Sequence, residues 1–279
     1  MIMRPWKLSL AILLFACVAC SRGPAGRQFT VAGSTSVQPF ADRWAEVFMQ
    51  KHPGLAVNVQ GGGSSAGIQA AKSGAAQIGM SSRELKPDEM ELNQIIVARD
   101  GLAIIVHPDS PLRNLTLQEV RSIFGGEIRN WKVLTRLDRE IDVVTREEGS
   151  GTRGAFQELV MGKGKRISKR AIVQDSNGTV REIVANDPYS IGYISLGLVS
   201  GRVRALTLDG VKASEENILS KEYPLVRPFL FLTKGPAAGP VKDFIDFVLS
   251  AEGQELVRKE GLIPAGEGSP PAGSGRSHE

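Results

Sequence analysis

Cysteine is nearly missing from this chain: there are two, Cys17 and Cys20, both close to the N-terminus. Everything after them therefore holds neither a disulfide nor a thiolate metal site. Histidine is almost as scarce. His52, His107 and His278 stand far apart and form no ligand cluster of zinc spacing. Charge of one sign is also in short supply. Formal net charge is +4, and two of the cations, Arg4 and Lys7, belong to the extreme N-terminus. That balance does not argue for a nucleic-acid partner, in spite of a pI near 9.1. The apolar run at residues 8–15 is too short to span a bilayer. There is no P-loop and no internal repeat. What remains is an ordinary globular composition, 42% hydrophobic and 23% charged over 279 residues, enough for one large domain or two modest ones.

The N-terminus reads as an export signal. Arg4 and Lys7 supply the positive n-region, and residues 8–15 the apolar h-region. Small residues lead into cysteine twice, at Ala16-Cys17 and at Ala19-Cys20. Both resemble a bacterial lipobox, in which the cysteine is diacylated and becomes the first residue. Leu14 stands three residues before Cys17, whereas Val18-Ala19 before Cys20 and Ser21 after it make the commoner local pattern. Cys20 is the expected lipidation site, Cys17 the alternative, and a plain secretory leader the third reading. Residues 1–20 are thus assigned to the signal. At the other end, residues 265–279 are rich in Gly, Pro and Ser and read as a disordered tail.

Between these ends, strand-like runs alternate with amphipathic helices. Leu55, Val57 and Val59 alternate as in a half-buried strand, and residues 102–106 form a continuous apolar run. Further strands are expected at residues 141–145, 191–195 and 226–232. Phe40, Trp44, Val47 and Phe48 share one helical face, as do Val241, Phe244, Ile245, Val248 and Leu249. Thr116 and Glu119 make a capping box that opens a helix through Phe124. The alternation predicts an α/β fold with mostly parallel sheets.

Four turns rich in glycine and hydroxyls follow a strand or lead into a helix. They are Gly33-Ser34-Thr35-Ser36, the run at residues 61–67, Gly149-Ser150-Gly151-Thr152, and Ser176-Asn177-Gly178-Thr179. One such turn is ordinarily a helix cap. Four of them offer free backbone N–H groups, hydroxyl donors and helix dipoles, which suits a tetrahedral oxyanion held with a single arginine. Arg146, at a strand end three residues before Gly149, is the candidate cation. The reading of Ser150 as an enzymatic nucleophile is weak. Its surroundings lack the G-x-S-x-G spacing, and only His107 could serve as an internal base. No turnover, cofactor or metal is expected.

The ordered set of motifs resembles the phosphate-binding component of bacterial phosphate ABC transporters, a type II periplasmic solute-binding protein family. The matching segments include Ala32-Gly33-Ser34-Thr35-Ser36, Ser81-Ser82-Arg83-Glu84-Leu85, Phe124-Gly125-Gly126, Arg146-Glu147-Glu148-Gly149-Ser150-Gly151-Thr152, Ser190-Ile191-Gly192-Tyr193 and Gly261-Leu262-Ile263-Pro264. They cover the chain apart from its two ends. The resemblance implies a two-lobe α/β fold with a ligand cleft between the lobes. The first lobe would comprise residues 28–103 and 225–264, the second residues 104–224. It also implies anion donors at Ser34, Thr35, Ser36, Ser64, Ser82, Ser150, Gly151 and Thr152, with Arg146 as the charged partner. Arg83 matches the motif without an implied contact. The implied function is binding of inorganic phosphate and delivery to permease subunits of an ABC transporter, by an exported monomer held at the periplasmic or cell-surface side by a lipid anchor.

One departure bears on selectivity. Well-known members carry an aspartate where this chain has Ser82, and that carboxylate accepts a hydrogen bond from protonated phosphate while repelling sulfate. Glu148 is expected to restore some of that discrimination. Sulfate, molybdate or another oxyanion is the alternative ligand, and a sensor or adhesin on the same fold the alternative role. The anchor has a direct test: Cys20→Ser should release the protein from the membrane fraction and abolish lipid labelling, while Cys17→Ser should leave both intact. The reverse result moves the anchor to Cys17, and an unlabelled parent excludes lipidation.

Overall fold

The computed structural model of this protein describes residues 27–267. The export signal, Cys17, Cys20 and the tail beyond residue 267 lie outside the described residues. Just before that point the backbone N–H of Ala265 is held by Gln254 Oε1 at 2.6 Å.

The N-terminal part alternates strand and helix: β1 (Arg27–Gly33), α1 (Gln38–Lys51), β2 (Leu55–Gly61), α2 (Ser64–Ser73), β3 (Ile78–Ser81) and the long β4 (Asn93–Val106). A short β5 (Asn114–Leu115) precedes α3 (Leu117–Gly125), followed by β6 (Asp142–Arg146), α4 (Gly151–Phe156), β7 (Ile172–Gln174), α5 (Asn177–Asn186) and β8 (Ser190–Ser195). The chain then runs through β9 (Arg204–Ala205), β10 (Thr207–Leu208), α6 (Glu215–Leu219), β11 (Val226–Thr233), α7 (Gly239–Leu249), α8 (Ala251–Lys259) and β12 (Ile263–Pro264). No described helix is long and apolar enough to cross a membrane.

The apolar spacings act as their periods dictate. Phe40, Trp44 and Phe48 are buried on one face of α1, with Val47 half-buried beside them. Thr116 Oγ1 accepts the Glu119 N–H at 3.1 Å, and the Glu119 carboxylate accepts the Thr116 N–H at 2.7 Å, which is the capping box opening α3. In α7, Phe244, Ile245 and Val248 are buried, but Leu249, expected on the same face, is 41% exposed. It is the last residue of the helix, and the chain turns at Ser250 straight into α8.

Strands assemble in the order β2-β1-β3-β11-β4-β8-β6-β7, with β9 and β12 also on β4. β1 is parallel to β2 and β3, and β6 is parallel to β7 and β8. The middle departs from the expected parallel pairing: β11 is antiparallel to β3 and β4, and β4 to β8. β4 is long enough to join the two parallel sets. Its residues 93–101 pair with β11, and its residues 102–106 pair with β8, so one strand serves both ends of the sheet.

Two large apolar cores flank this passage. One draws on residues between Phe29 and Ala98 and between Phe229 and Leu262, the other on residues between Leu102 and Leu225 together with Ile263. The change from one core to the other falls at residues 99–101 of β4 and 226–228 of β11. In the first core α2 lies directly against β1 and β3, because glycines remove the side chains between them. A Cβ on Gly67 would stand 2.5 Å from Ala32 O and 2.6 Å from the Gly33 Cα. This close approach places the N-terminus of α2 beside the ends of those strands. Gly67→Ala should therefore lower stability by about 1–3 kcal/mol through overpacking, read as a lower denaturant midpoint. An unchanged midpoint would mean that α2 has room to shift.

Candidate functional site

Each of the four glycine- and hydroxyl-rich turns is the exit of a parallel strand into a helix: β1 into α1, β2 into α2, β6 into α4 and β7 into α5. First-turn N–H groups have no intrahelical acceptor and carry the positive end of the dipole. The four entries meet. Ser36 Oγ lies 2.7 Å from Thr152 Oγ1, and Asn177 Nδ2 donates to Ser36 Oγ at 2.9 Å. The backbone N–H of Ser65 donates to Gly149 O at 3.1 Å. A Cβ on Gly151 would overlap Ser64 Oγ and stand 2.6 Å from Ser82 Oγ, so this approach requires glycine.

All the sequence-predicted site residues are brought together here. Ser34, Ser36, Ser64, Ser82, Arg146, Ser150 and Thr152 are each 2% exposed or less. Gly151 is buried and Thr35 half-buried. Their hydroxyls are wired to one another. Ser34 Oγ accepts the Ser36 N–H at 3.2 Å and donates to Ser82 Oγ at 2.9 Å. Ser64 Oγ accepts the Ser82 N–H at 3.1 Å, and Ser150 Oγ caps α4 by accepting the Arg153 N–H at 3.2 Å. In the fourth turn Ser176 and Thr179 are spent on capping α5, and Asn177 is the residue that reaches the others.

Arg146 is set from below. Phe156 stacks on Tyr193 at 4.1 Å, and the Tyr193 hydroxyl pairs with Thr145 at 2.6 Å and accepts the Arg146 N–H at 3.4 Å. Burial pushes the Tyr193 phenol up to about 12, so it stays neutral. The guanidinium is oriented by the carbonyls of Gln174 (Nε, 3.2 Å) and Asp175 (Nη2, 2.8 Å), by the Glu147 carboxylate (both contacts 3.1 Å) and by Thr35 Oγ1 (3.1 Å). Its Nη1 is fully buried and has no hydrogen-bond partner. A buried, charged donor left open in an otherwise satisfied group marks the place of an acceptor.

The acidic neighbour is not the expected one. Glu148 is 93% exposed and points to Arg153 at 3.9 Å, away from the buried hydroxyls. Glu147, one residue earlier, holds Arg146 instead. Arg83 is not among the hydroxyls either. It forms a buried pair with Glu89 at 2.7 and 2.9 Å, and its hydrogen bond holds that carboxyl below the usual glutamate range. His107, the only candidate base for Ser150, instead accepts the Asp109 N–H at 3.1 Å. Among the described residues no group of His, Cys, Asp or Glu could hold a metal ion.

Sequence reasoning missed a second buried arginine. Arg227 donates to Asp100 Oδ2 from Nε at 2.9 Å and Nη2 at 2.8 Å, and reaches Ser36 Oγ at 3.2 Å and Ser82 O at 3.3 Å. The available signal was charge inside two otherwise apolar strands, Arg99-Asp100 in β4 and Arg227 in β11.

The chain matches the PBP superfamily domain over residues 20–252. It is 33% identical to the phosphate-binding protein PstS of Bacillus subtilis, over 94% of this chain and 95% of that one. With PstS of Borreliella burgdorferi it shares 30% identity over 84% and 88% of the two chains. Among solved structures, it superposes on a putative phosphate ABC transporter substrate-binding protein from Clostridium perfringens, which has phosphate bound. The TM-score is 0.82 with 42% identity, covering 85% of this chain and 99% of the other. An ABC-type phosphate transport receptor from Vibrio cholerae gives a TM-score of 0.71 with 38% identity over 85% and 99%.

Gly151 offers a test of the geometry itself. Gly151→Ala places a methyl group against the Ser64 and Ser82 hydroxyls, so it should hold the α4 entry away from them. Oxyanion affinity should fall at least about tenfold while the thermal midpoint changes little. Parental affinity in the variant would mean that the two sides need not come this close.

Proposed function

The chain belongs to the PstS phosphate-binding proteins within the PBP superfamily, and we propose that it captures inorganic phosphate where its four helix entries meet and delivers it to an ABC transporter permease. The observation that carries this reading is the open Nη1 of Arg146, fully buried among hydroxyls. A tetrahedral oxyanion is the ligand whose geometry and charge answer that donor set. The nine residues lining the anion would be Ser34, Thr35, Ser36, Ser64, Ser82, Arg146, Ser150, Gly151 and Thr152.

The fold is the two-lobe α/β arrangement of type II periplasmic binding proteins. In our reading residues 28–103 and 225–264 form one lobe and residues 104–224 the other. The passages of β4 and β11 between them would act as the hinge, and closure of the lobes over phosphate would be the state that the permease recognises. The protein would work as an exported monomer, tethered outside the cytoplasmic membrane through Cys20 or Cys17. It would bind and release without turnover, since the Ser150 hydroxyl caps a helix and has no base beside it.

Sulfate is the competing ligand to test, because Ser82 offers a hydroxyl where a carboxylate would repel it. Titration calorimetry of purified protein with phosphate, sulfate and molybdate separates these readings. Arg146→Ala should weaken phosphate binding by about a hundredfold to a thousandfold, the cost of leaving a buried anion without its cation. Binding within about threefold of the parent would remove Arg146 from the site, and a parent that prefers sulfate would overturn the phosphate assignment.

A further inference from the structure

We propose that Asp100, Arg227 and Asn177 act through Ser36 to fix the Thr152 hydroxyl as a donor toward the bound anion, so that the site favours the less protonated form of its ligand. The inference rests on the oxyanion reading above and assigns positioning roles to residues that need not touch the ligand.

The protons around Ser36 can be counted from their partners. Asp100 is fully buried and accepts four hydrogen bonds: two on Oδ2 from Arg227, and two on Oδ1, from Ser195 Oγ at 2.8 Å and the Leu196 N–H at 3.2 Å. Arg227 Nη2 has two protons. One goes to Asp100, and the other to Ser36 Oγ at 3.2 Å. Asn177 is oriented by the backbone. Its Oδ1 receives the Ser195 N–H at 3.4 Å, so Nδ2 is the group facing Ser36 at 2.9 Å. Ser36 Oγ therefore takes two obligate donors, and a hydroxyl oxygen has two lone pairs. Its capacity to accept is full, and in this arrangement its own proton goes to Thr152 Oγ1 at 2.7 Å, so Ser36 lines the anion without donating its hydroxyl to it, unlike the donor role expected for it.

Thr152 is thereby an acceptor toward Ser36, and its own proton has no protein partner. It is 1% exposed, so that proton waits for the ligand. A ligand O–H aimed at Thr152 meets this fixed proton. The opposite side of the site is different. Ser82 Oγ accepts from Ser34 and lies 3.4 Å from Ser64 Oγ, where it can place its own proton and accept a ligand O–H. The site thus has one adaptable hydroxyl and, across from it, a locked donor.

The charged groups around the Ser36–Thr152 contact are Arg227 with Asp100, Arg146 with Glu147, Arg153 on α4, and Arg83 with Glu89. None is a histidine, and at Asp100 burial raises the carboxyl while its pairing with Arg227 opposes that shift; sulfate, which carries no proton, therefore serves to separate titration of the protein from titration of the phosphate.

The experiment measures phosphate affinity by calorimetry from about pH 6 to about pH 8, with sulfate as a reference ligand that carries no proton. For the parent, phosphate affinity should rise with pH by about tenfold while sulfate affinity stays level. Asn177→Asp replaces the donor on Ser36 by an acceptor. Ser36 then donates to the new carboxylate, Thr152 donates to Ser36, and Thr152 is left to accept from the ligand. This variant should bind phosphate more weakly throughout, but with a flat or inverted pH profile. Ser36→Ala, which removes the relay at small steric cost, should flatten the profile as well. Variant profiles parallel to the parent's, or a parent profile that is itself flat, overturn the proposal. A parent that binds sulfate but no phosphate at any pH instead overturns the phosphate reading on which the proposal stands.

Discussion

Asp100 and Arg227 face each other in the register of β4 and β11, at the point where one apolar core gives way to the other. Removing two such charges from water costs several kcal/mol per ion, and the pair offsets this only if its remaining protons and lone pairs are filled. They are largely filled here. The opposing effects are visible in each partner: burial raises the Asp100 carboxyl and lowers the Arg227 guanidinium, while the pairing pulls the other way. What the pair contributes is registration. A slip of one residue between β4 and β11 would put the two charges on opposite faces of the sheet, each without its partner. Because Arg227 also reaches Ser36 and Ser82, that register sets the position of those two residues as well.

The two buried arginines differ in one respect that decides their roles. Arg227 is bound on all three nitrogens by protein acceptors. Arg146 is clamped on Nε and Nη2, and Nη1 is left open. The first is built into the frame, and the second is presented by it. Glu147 leans on the clamped side of Arg146, so it restrains the guanidinium without occupying the open donor. The buried Arg83–Glu89 pair has a similar supporting role, since it fixes the segment that follows Ser82.

The parts of the site that were legible in the sequence are the parts made by local backbone geometry. Glycine beside hydroxyls at a strand-to-helix turn has a mechanism within a few residues, so the turns that hold Ser34, Ser64 and Ser150 could be picked out directly, whereas the role of each residue, and Ser82 altogether, came only from the family resemblance. Arg146 could be named because it stands at the end of a recognisable strand. Asp100 and Arg227 are 127 positions apart, and their partnership exists only once β4 and β11 have paired. Charge inside apolar strands, Arg99-Asp100 in β4 and Arg227 in β11, was the trace they left. Glu147 and Glu148 show a finer limit. At a strand end, one residue of phase decides whether a side chain turns inward or out, and the glycine turn that sets the phase is not read from the spacing of acids. The antiparallel middle of the sheet was hidden for a related reason. Alternating strands and helices imply parallel pairing, and β4 and β11, which run against the strands beside them, break that pattern.

The Ser65–Gly149 and Ser36–Thr152 contacts have a consequence for kinetics. They join the two sides of the site directly, and the groups they bring together are almost wholly buried. An anion can reach Arg146 Nη1 only while those contacts are parted, and can leave only when they part again. The time a ligand stays is then set by how often the protein opens, a motion of the microsecond-to-millisecond class, and not by how fast the anion diffuses. Substitutions that strain the closed contacts should accordingly shorten residence and leave the rate of encounter largely untouched.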